Sequence, residues 1–80
     1  MVETNGERFT GKVNDLLLYF RKELAYECEQ LDLSEYETFL YNAKMIIDIL
    51  ERLHDIKNKE LELIVEEHPM GGFIIREDID

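Results

Sequence analysis

Glu51 and His54 are the residue pair best suited to metal chemistry in this chain. On a helix, a Glu-x-x-His pair places both side chains on adjacent turns, as in carboxylate-bridged di-metal bundles. Such a site needs a second pair and two further glutamates, so a homodimer would supply them together with Glu23 or Glu27. A single copy is more typical of a structural histidine. We therefore predict no metal ligand and no cofactor, and keep a dimeric carboxylate and histidine metal-binding helical bundle as the third functional hypothesis.

Cys28 and His54 have the side chains of a nucleophile and its base. In an antiparallel helical hairpin Cys28 lies beside the connection, and His54 lies far along the second helix, roughly 25 Å away. Gly71 and Gly72 lack the strand-to-helix glycine pattern of a phosphate-binding loop. No pair among the 19 acidic residues is singled out by its spacing for acid–base work. The sequence therefore predicts a protein that is not an enzyme and has no catalytic residue.

Acidic residues make the strongest charge pattern, because 19 acids against 9 bases give a formal net charge of -10. This charge disfavours direct binding of nucleic acid and of anionic membrane surfaces, and favours fast, salt-sensitive docking on a basic protein. The first acidic group has no lysine or arginine within it and comprises Glu23, Glu27, Glu29, Asp32, Glu35 and Glu37. The second acidic group is opposed only by Arg76 and comprises Glu60, Glu62, Glu66, Glu67, Glu77, Asp78 and Asp80.

Helical periodicity determines where these residues lie. Over 12–31, apolar residues recur every three or four positions and predict a first helix. Capping signals near 32–35 start a second helix, which is predicted over 34–58. A connection this short makes the two helices antiparallel neighbours. Residues 1–11 are polar, and we expect them to be flexible, although Asn5-Gly6 is also typical of a primed β-turn.

The C-terminal part has two interpretations. Residues 61–77 contain two β-prone runs around His68-Pro69-Met70-Gly71, which suits a type I turn with a glycine bulge. Alternatively, one long second helix runs to about residue 67, but it would be roughly 50 Å long and overshoot its partner. We therefore predict a single small domain over 1–80, α+β and mainly α, in which an antiparallel αα-hairpin is followed by a C-terminal β-hairpin. The alternative is an all-α fold.

The second helix is apolar on two opposite sides. Its core stripe comprises Tyr36, Phe39, Leu40, Ala43, Ile46, Ile47 and Leu50. Its far stripe comprises Tyr41, Met45, Ile49 and Ile56. Either the C-terminal hairpin or another chain must cover the far stripe, because open apolar patches of this kind usually bind a partner. Two tyrosines of the first helix also lie off its core face, so the predicted protein-binding residues are Tyr19, Tyr26, Tyr41, Met45 and Ile49.

These patterns favour a small acidic, non-catalytic protein-binding module that modulates or inhibits a protein target, acting as a homodimer. The second hypothesis is an acidic nucleic-acid mimic, whose carboxylates imitate a phosphate backbone and block a DNA- or RNA-binding protein. Cys28 is the only cysteine, so we expect a buried thiol and a reducing, cytoplasmic location. We also expect no secretory signal and no membrane span, since no apolar run approaches the ~20 residues that cross a bilayer.

Overall fold

Two helices pack on one face of a four-stranded antiparallel sheet. The computed structural model describes residues 2–30 and 33–78. The strands lie side by side in chain order, so the N-terminal and C-terminal hairpins join through β2 and β3. The predicted α+β class, with an αα-hairpin followed by a β-hairpin, is confirmed. The elements are β1 (Glu3–Asn5), β2 (Arg8–Lys12), α1 (Val13–Glu29), a 3-10 turn (Leu33–Glu35), α2 (Tyr36–Asp55), β3 (Glu62–Glu67) and β4 (Phe73–Glu77).

The N-terminal segment differs from its prediction, because residues that we expected to be flexible form β1 and β2. Asn5 pairs with Arg8, so Gly6 and Glu7 make a two-residue turn. Only Gly6 has a positive φ there, 66°, which is the pattern of a type II′ hairpin turn. β2 pairs along its whole length with β3, about 50 residues later in the chain. This polar segment is ordered by its pairing with β3, and local sequence patterns do not reveal that partner strand.

The helices are shorter than predicted, and the all-α alternative is wrong. α1 covers Val13–Glu29 rather than 12–31, and α2 covers Tyr36–Asp55 rather than 34–58. After α2, the backbone amides of Ile56, Lys57 and Lys59 donate to carbonyls three residues earlier, which is the bonding of tight turns. The residues that would have continued the helix instead form β3, one of the two central strands.

The connection between β3 and β4 has the predicted turn. Gly71 N–H donates to the His68 carbonyl at 2.9 Å, and His68 N–H donates to the Gly72 carbonyl at 2.9 Å. Both glycines have left-handed φ values, 96° at Gly71 and 83° at Gly72. A Cβ atom at Gly71 would overlap the Tyr41 hydroxyl. The turn therefore packs directly against the side chain of an α2 residue.

The core lies between the helix pair and the inner face of the sheet. Ile46 and Ile49, which the sequence assigned to opposite stripes of α2, both belong to it. The buried face of α2 therefore lies between the two predicted stripes, since α1 and the sheet together cover both flanks. Tyr36 and Ile47 of the core stripe are 47% and 45% exposed. The core cluster comprises Val13, Leu16, Phe20, Ile46, Ile49, Leu53, Leu63 and Val65.

Candidate protein-binding groove

A groove opens where the helix pair passes beyond the end of the sheet. α2 has 20 residues and a length of about 30 Å, whereas β3 has 6 residues and a length of about 20 Å. Because α1 follows β2 directly, the helices are level with one end of the sheet and overhang the other. The groove has a volume of about 230 Å³. We call it the acidic groove, and its lining comprises Tyr19, Phe20, Glu23 and Glu27 of α1, Asn42, Met45 and Ile46 of α2, and Phe9, Glu67 and Phe73 of the sheet.

Aromatic rings form the bottom of the acidic groove. Phe20, only 2% exposed, has its ring centroid 5.4 Å from that of Phe9 and 5.3 Å from that of Phe73. Tyr19 extends the cluster, with its centroid 5.4 Å from Phe9 and 5.3 Å from Phe20. The rings meet in tilted or edge-to-face arrangements, which aromatic quadrupoles favour. Such packing fixes the position of each ring, and Phe9, Tyr19 and Phe73 remain partly exposed.

Carboxylates surround this aromatic bottom. Glu23 and Glu27 lie one turn apart on α1, and Glu67 is the last residue of β3. The fold thereby brings members of the two predicted acidic groups to one site. None of the lining residues is a lysine or arginine, and across residues 2–30 and 33–78 no basic side chain forms an ion pair with these three glutamates. Negative potential is therefore concentrated in a cleft whose apolar walls strengthen the field.

The Tyr19 phenol is coupled to the charge of the groove. Burial raises the pKa of Tyr19 above its ordinary value, and the charge of Glu23 and a hydrogen bond to Glu23 raise this pKa further. The phenol therefore stays protonated over the neutral range and donates its hydrogen bond to the carboxylate. This contact holds Glu23 beside the aromatic cluster.

The five residues predicted to bind a protein do not form one surface. Tyr19 and Met45 are partly buried, and both line the acidic groove. Tyr26 and Tyr41 are 57% and 55% exposed, but neither lines it. Ile49 is 0% exposed and belongs to the core cluster. Its side chain has no surface to offer to a partner, so we remove Ile49 from the candidate set.

The first acidic group divides between the groove and the outer surface. Two of its members, Glu23 and Glu27, line the groove. Asp32 lies outside the described residues, so the structure does not locate it. The remaining members are exposed near the helix–helix connection and are Glu29, Glu35 and Glu37.

Glu66, from the second acidic group, has a different environment on the outer face of the sheet. Its carboxylate accepts a hydrogen bond from the Arg76 guanidinium of the neighbouring strand. Arg8 approaches the same carboxylate from β2, with its Nε atom 3.9 Å from Glu66 Oε1. The charge of Glu66 is therefore countered within the chain, unlike the charges of the acidic groove.

The other chemical candidates do not assemble into a site. Lys57 Nζ lies 3.2 Å from His54 Nε2. Because an ammonium group can only donate, this ring nitrogen accepts the hydrogen bond from Lys57. Glu51 and His54 share a shallow surface depression with Arg21, whose charge also opposes a cation. In the part of the chain that the structure describes, no three His, Cys, Asp or Glu side chains are grouped to hold a metal ion.

Cys28 also differs from its prediction. We expected a buried thiol, but the side chain is exposed. Cys28 lies in the last turn of α1, and His54 lies in the last turn of α2. In an antiparallel pair these are opposite ends, so the two residues cannot form a nucleophile and base.

Sequence reasoning missed the strand residues of the groove. Phe9 lies in the segment that we expected to be flexible. Phe73 was assigned to the C-terminal hairpin, but the sequence did not indicate on which face of the sheet its side chain lies. Strand alternation places Phe73 on the same side as Val65, but only once the pairing with β3 is known. Asn42 is a polar residue on a helix flank, and no local signal distinguishes it from other surface residues.

Comparisons of this chain with protein-family models, with curated proteins and with solved structures found no match. Within the described residues, neither helix combines the length and the apolar character that crossing a bilayer requires. A functional proposal therefore depends on the geometry and charge of the acidic groove.

Proposed function

We propose that this protein is a small acidic protein-binding module, which docks on a basic protein target and modulates or inhibits it without catalysis. The observation that supports this proposal is the acidic groove, where Glu23, Glu27 and Glu67 surround an aromatic bottom and, within the described residues, none of the three is ion-paired. The net charge of -10 attracts a basic partner at long range and raises the association rate. Aromatic and methionine side chains then provide short-range contact, as they do at the centres of protein interfaces.

A matched pair of double variants tests the proposal. The groove double variant, Glu23→Gln with Glu27→Gln, removes two charges from the acidic groove. The outer double variant, Glu29→Gln with Glu35→Gln, removes two charges from exposed positions of the same acidic group outside the groove. Because the net charge of the two double variants is equal, any difference in binding reports the position of the charges rather than their number.

Affinity purification from the organism that encodes the protein provides the measurement. We expect the wild type and the outer double variant to retain the same basic protein, which elutes as salt is raised, since salt screens the attraction. The groove double variant should retain much less of it. Equal retention by both double variants, or retention that salt does not weaken, contradicts the proposal.

A homodimer is part of the proposal, but through a different surface from the one that the sequence offered. Ile49 lies in the core, so the far stripe of α2 is not a seam for a second copy. Tyr36 and Ile47 are about half exposed, and Ile47 lies across the helix from Met45, away from the groove. We propose that a second copy contacts this side of α2. Sedimentation equilibrium should give a dimer for the wild type and a monomer for Ile47→Asp. If the wild type and the variant are both monomeric, the proposed dimer is wrong.

The alternative function is an acidic nucleic-acid mimic. Its support is the exposure of Glu29, Glu35 and Glu37 near the connection between α1 and α2, which we call the helix–helix end of the molecule. A mimic occupies the basic surface on which its target binds nucleic acid, so DNA or RNA must displace it. If nucleic acid releases the purified partner, and the outer double variant loses more binding than the groove double variant, mimicry replaces the groove as the mode of docking.

We further propose that the protein acts in the cytoplasm. Cys28 is an exposed thiol without a disulfide partner in the chain. A reducing compartment maintains such a thiol, whereas oxidising compartments convert exposed cysteines to disulfides. Fluorescence microscopy of a tagged full-length chain in its own host tests this location, and a signal confined to the cell surface contradicts it.

A further inference from the structure

We propose that the acidic groove seats a single arginine side chain of the partner protein. This inference rests on the proposed function and names the group that the groove recognises. Two kinds of group face the same small space, namely partly exposed aromatic rings and carboxylates without a basic partner. An occupant that satisfies both must present an apolar or π face together with positive charge.

A guanidinium group meets both requirements. It is planar and always charged, it stacks on aromatic faces, and it directs five N–H donors outward in its own plane. In the acidic groove the partly exposed rings are those of Phe9, Tyr19 and Phe73. Glu23 and Glu27 are four residues apart on α1, which places their Cβ atoms about 5–6 Å apart. That spacing lets two carboxylates accept from different edges of one guanidinium.

The size of the groove limits what it can hold. Its volume of about 230 Å³ lies below the range of roughly 300–1,000 Å³ that is usual for small-molecule pockets. This volume matches one extended side chain. An arginine at the tip of a loop or on a tail of a basic protein reaches it without any other part of the partner entering.

Other occupants leave part of the lining unsatisfied. An anion is repelled by Glu23, Glu27 and Glu67. An apolar side chain would remove water from these carboxylates without replacing their hydrogen bonds, which is costly. A metal ion needs several oxygen, nitrogen or sulfur ligands at once, and no group of three or more such side chains occurs among the described residues. A lysine ammonium supplies charge, but it is a compact point charge that is more strongly hydrated than guanidinium.

Three capped peptides test the inference on the full chain: acetyl-Gly-Arg-Gly-amide, its citrulline counterpart and its lysine counterpart. Citrulline keeps the length and planarity of arginine but carries no charge. We follow the ring signals of Tyr19 and Phe73 by NMR while each peptide is added at low salt. The arginine peptide should shift these signals saturably, the lysine peptide should bind more weakly, and the citrulline peptide should have little effect.

The double variants separate the groove from the general field of the protein. Replacing Glu23 and Glu27 with glutamine should weaken binding of the arginine peptide roughly fivefold or more, as expected for two partly exposed charge contacts. Replacing Glu29 and Glu35 should weaken it less than about twofold, because these residues lie outside the groove. Thermal unfolding by circular dichroism establishes that all variants are folded before they are compared.

Several outcomes overturn the arginine seat: a citrulline peptide that binds as well as the arginine peptide, a lysine peptide that binds more tightly, or equal weakening by both double variants. Failure of the seat and failure of the proposed function are distinguishable. If the peptides do not bind but a basic partner is still retained and released by salt, the proposed function is supported and the proposal of arginine binding in the acidic groove is wrong. If the arginine peptide binds as expected but no basic partner is retained, the groove recognises a guanidinium group and the proposed function is wrong.

Discussion

Replacing Ile49 with alanine should lower the free energy of unfolding by about 2–5 kcal/mol. Ile49 is 0% exposed and belongs to the core cluster between the helix pair and the sheet. The change removes three carbon atoms, and at about 0.8 kcal/mol for each buried methylene the transfer loss alone is roughly 2.4 kcal/mol. The cavity that remains in the close-packed core adds to this loss.

Ile47→Ala is the matched control, because it makes the same chemical change two residues earlier on the same helix. The change in helix propensity is therefore equal in the two variants. Ile47 is 45% exposed, so only about half of its side chain loses burial, and the expected cost is about 1 kcal/mol. The difference between the two variants isolates the burial of Ile49 from every effect of alanine itself.

Urea unfolding followed by circular dichroism measures both free energies, at a protein concentration low enough that association through Ile47 does not contribute. For a domain of this size, 1 kcal/mol corresponds to about 4–8 °C in Tm, so Ile49→Ala should melt at least about 8 °C below the wild type. If Ile49→Ala does not fold, Ile49→Val should still cost about 0.5–1.5 kcal/mol. A cost at Ile47 equal to or greater than that at Ile49 would refute the observed packing of α2.

Three further predictions follow from particular contacts. Gly71→Ala should destabilise the fold more than Gly72→Ala, because both glycines have left-handed φ values but only a Cβ at Gly71 would overlap the Tyr41 hydroxyl. In a Tyr41→Ala background, the difference in unfolding free energy between the two glycine variants, measured by urea unfolding, should vanish. A difference that persists in this background counts against the contact. The folded-state pKa of Tyr19 is raised, so its contribution to stability is fully present below the unfolded value near 10 and is lost as pH rises through the folded value. Tyr19→Phe should reduce the fall in unfolding free energy above pH 10, and an unchanged pH profile disagrees with this assignment. Arg52→Gln removes the 2.7 Å hydrogen bond from α2 to the first carbonyl of β4. We therefore expect the free energy of unfolding to fall by about 1 kcal/mol and hydrogen exchange in β4 to become faster. Unchanged exchange rates contradict this role of Arg52.

The two helices and the C-terminal hairpin were predictable because their signals are local. Apolar residues repeat with the helical period along 13–29 and 36–55, and this period needs no knowledge of the rest of the chain. The His68–Gly71 turn was likewise indicated by a proline and a glycine at fixed positions. Each of these signals lies within a few residues of the structure that it specifies.

The N-terminal hairpin and the acidic groove depend on pairing between distant segments. β2 is ordered by β3, and local composition around Phe9 contains no sign of that partner. The buried face of α2 was misassigned because two covering surfaces, α1 and the sheet, merge its apolar stripes into one wide face. The groove was missed for the same reason, since it combines residues of α1, α2 and three strand ends that only the assembled fold brings together.

The most direct test of the central claim is an amide chemical-shift footprint of the purified basic partner on this protein. We expect the largest shifts around the acidic groove, at Tyr19, Glu23, Asn42, Glu67 and Phe73, with smaller shifts elsewhere. A footprint on the outer face of the sheet or at the helix–helix end, with the groove signals unchanged, would contradict the claim that the acidic groove is the docking site.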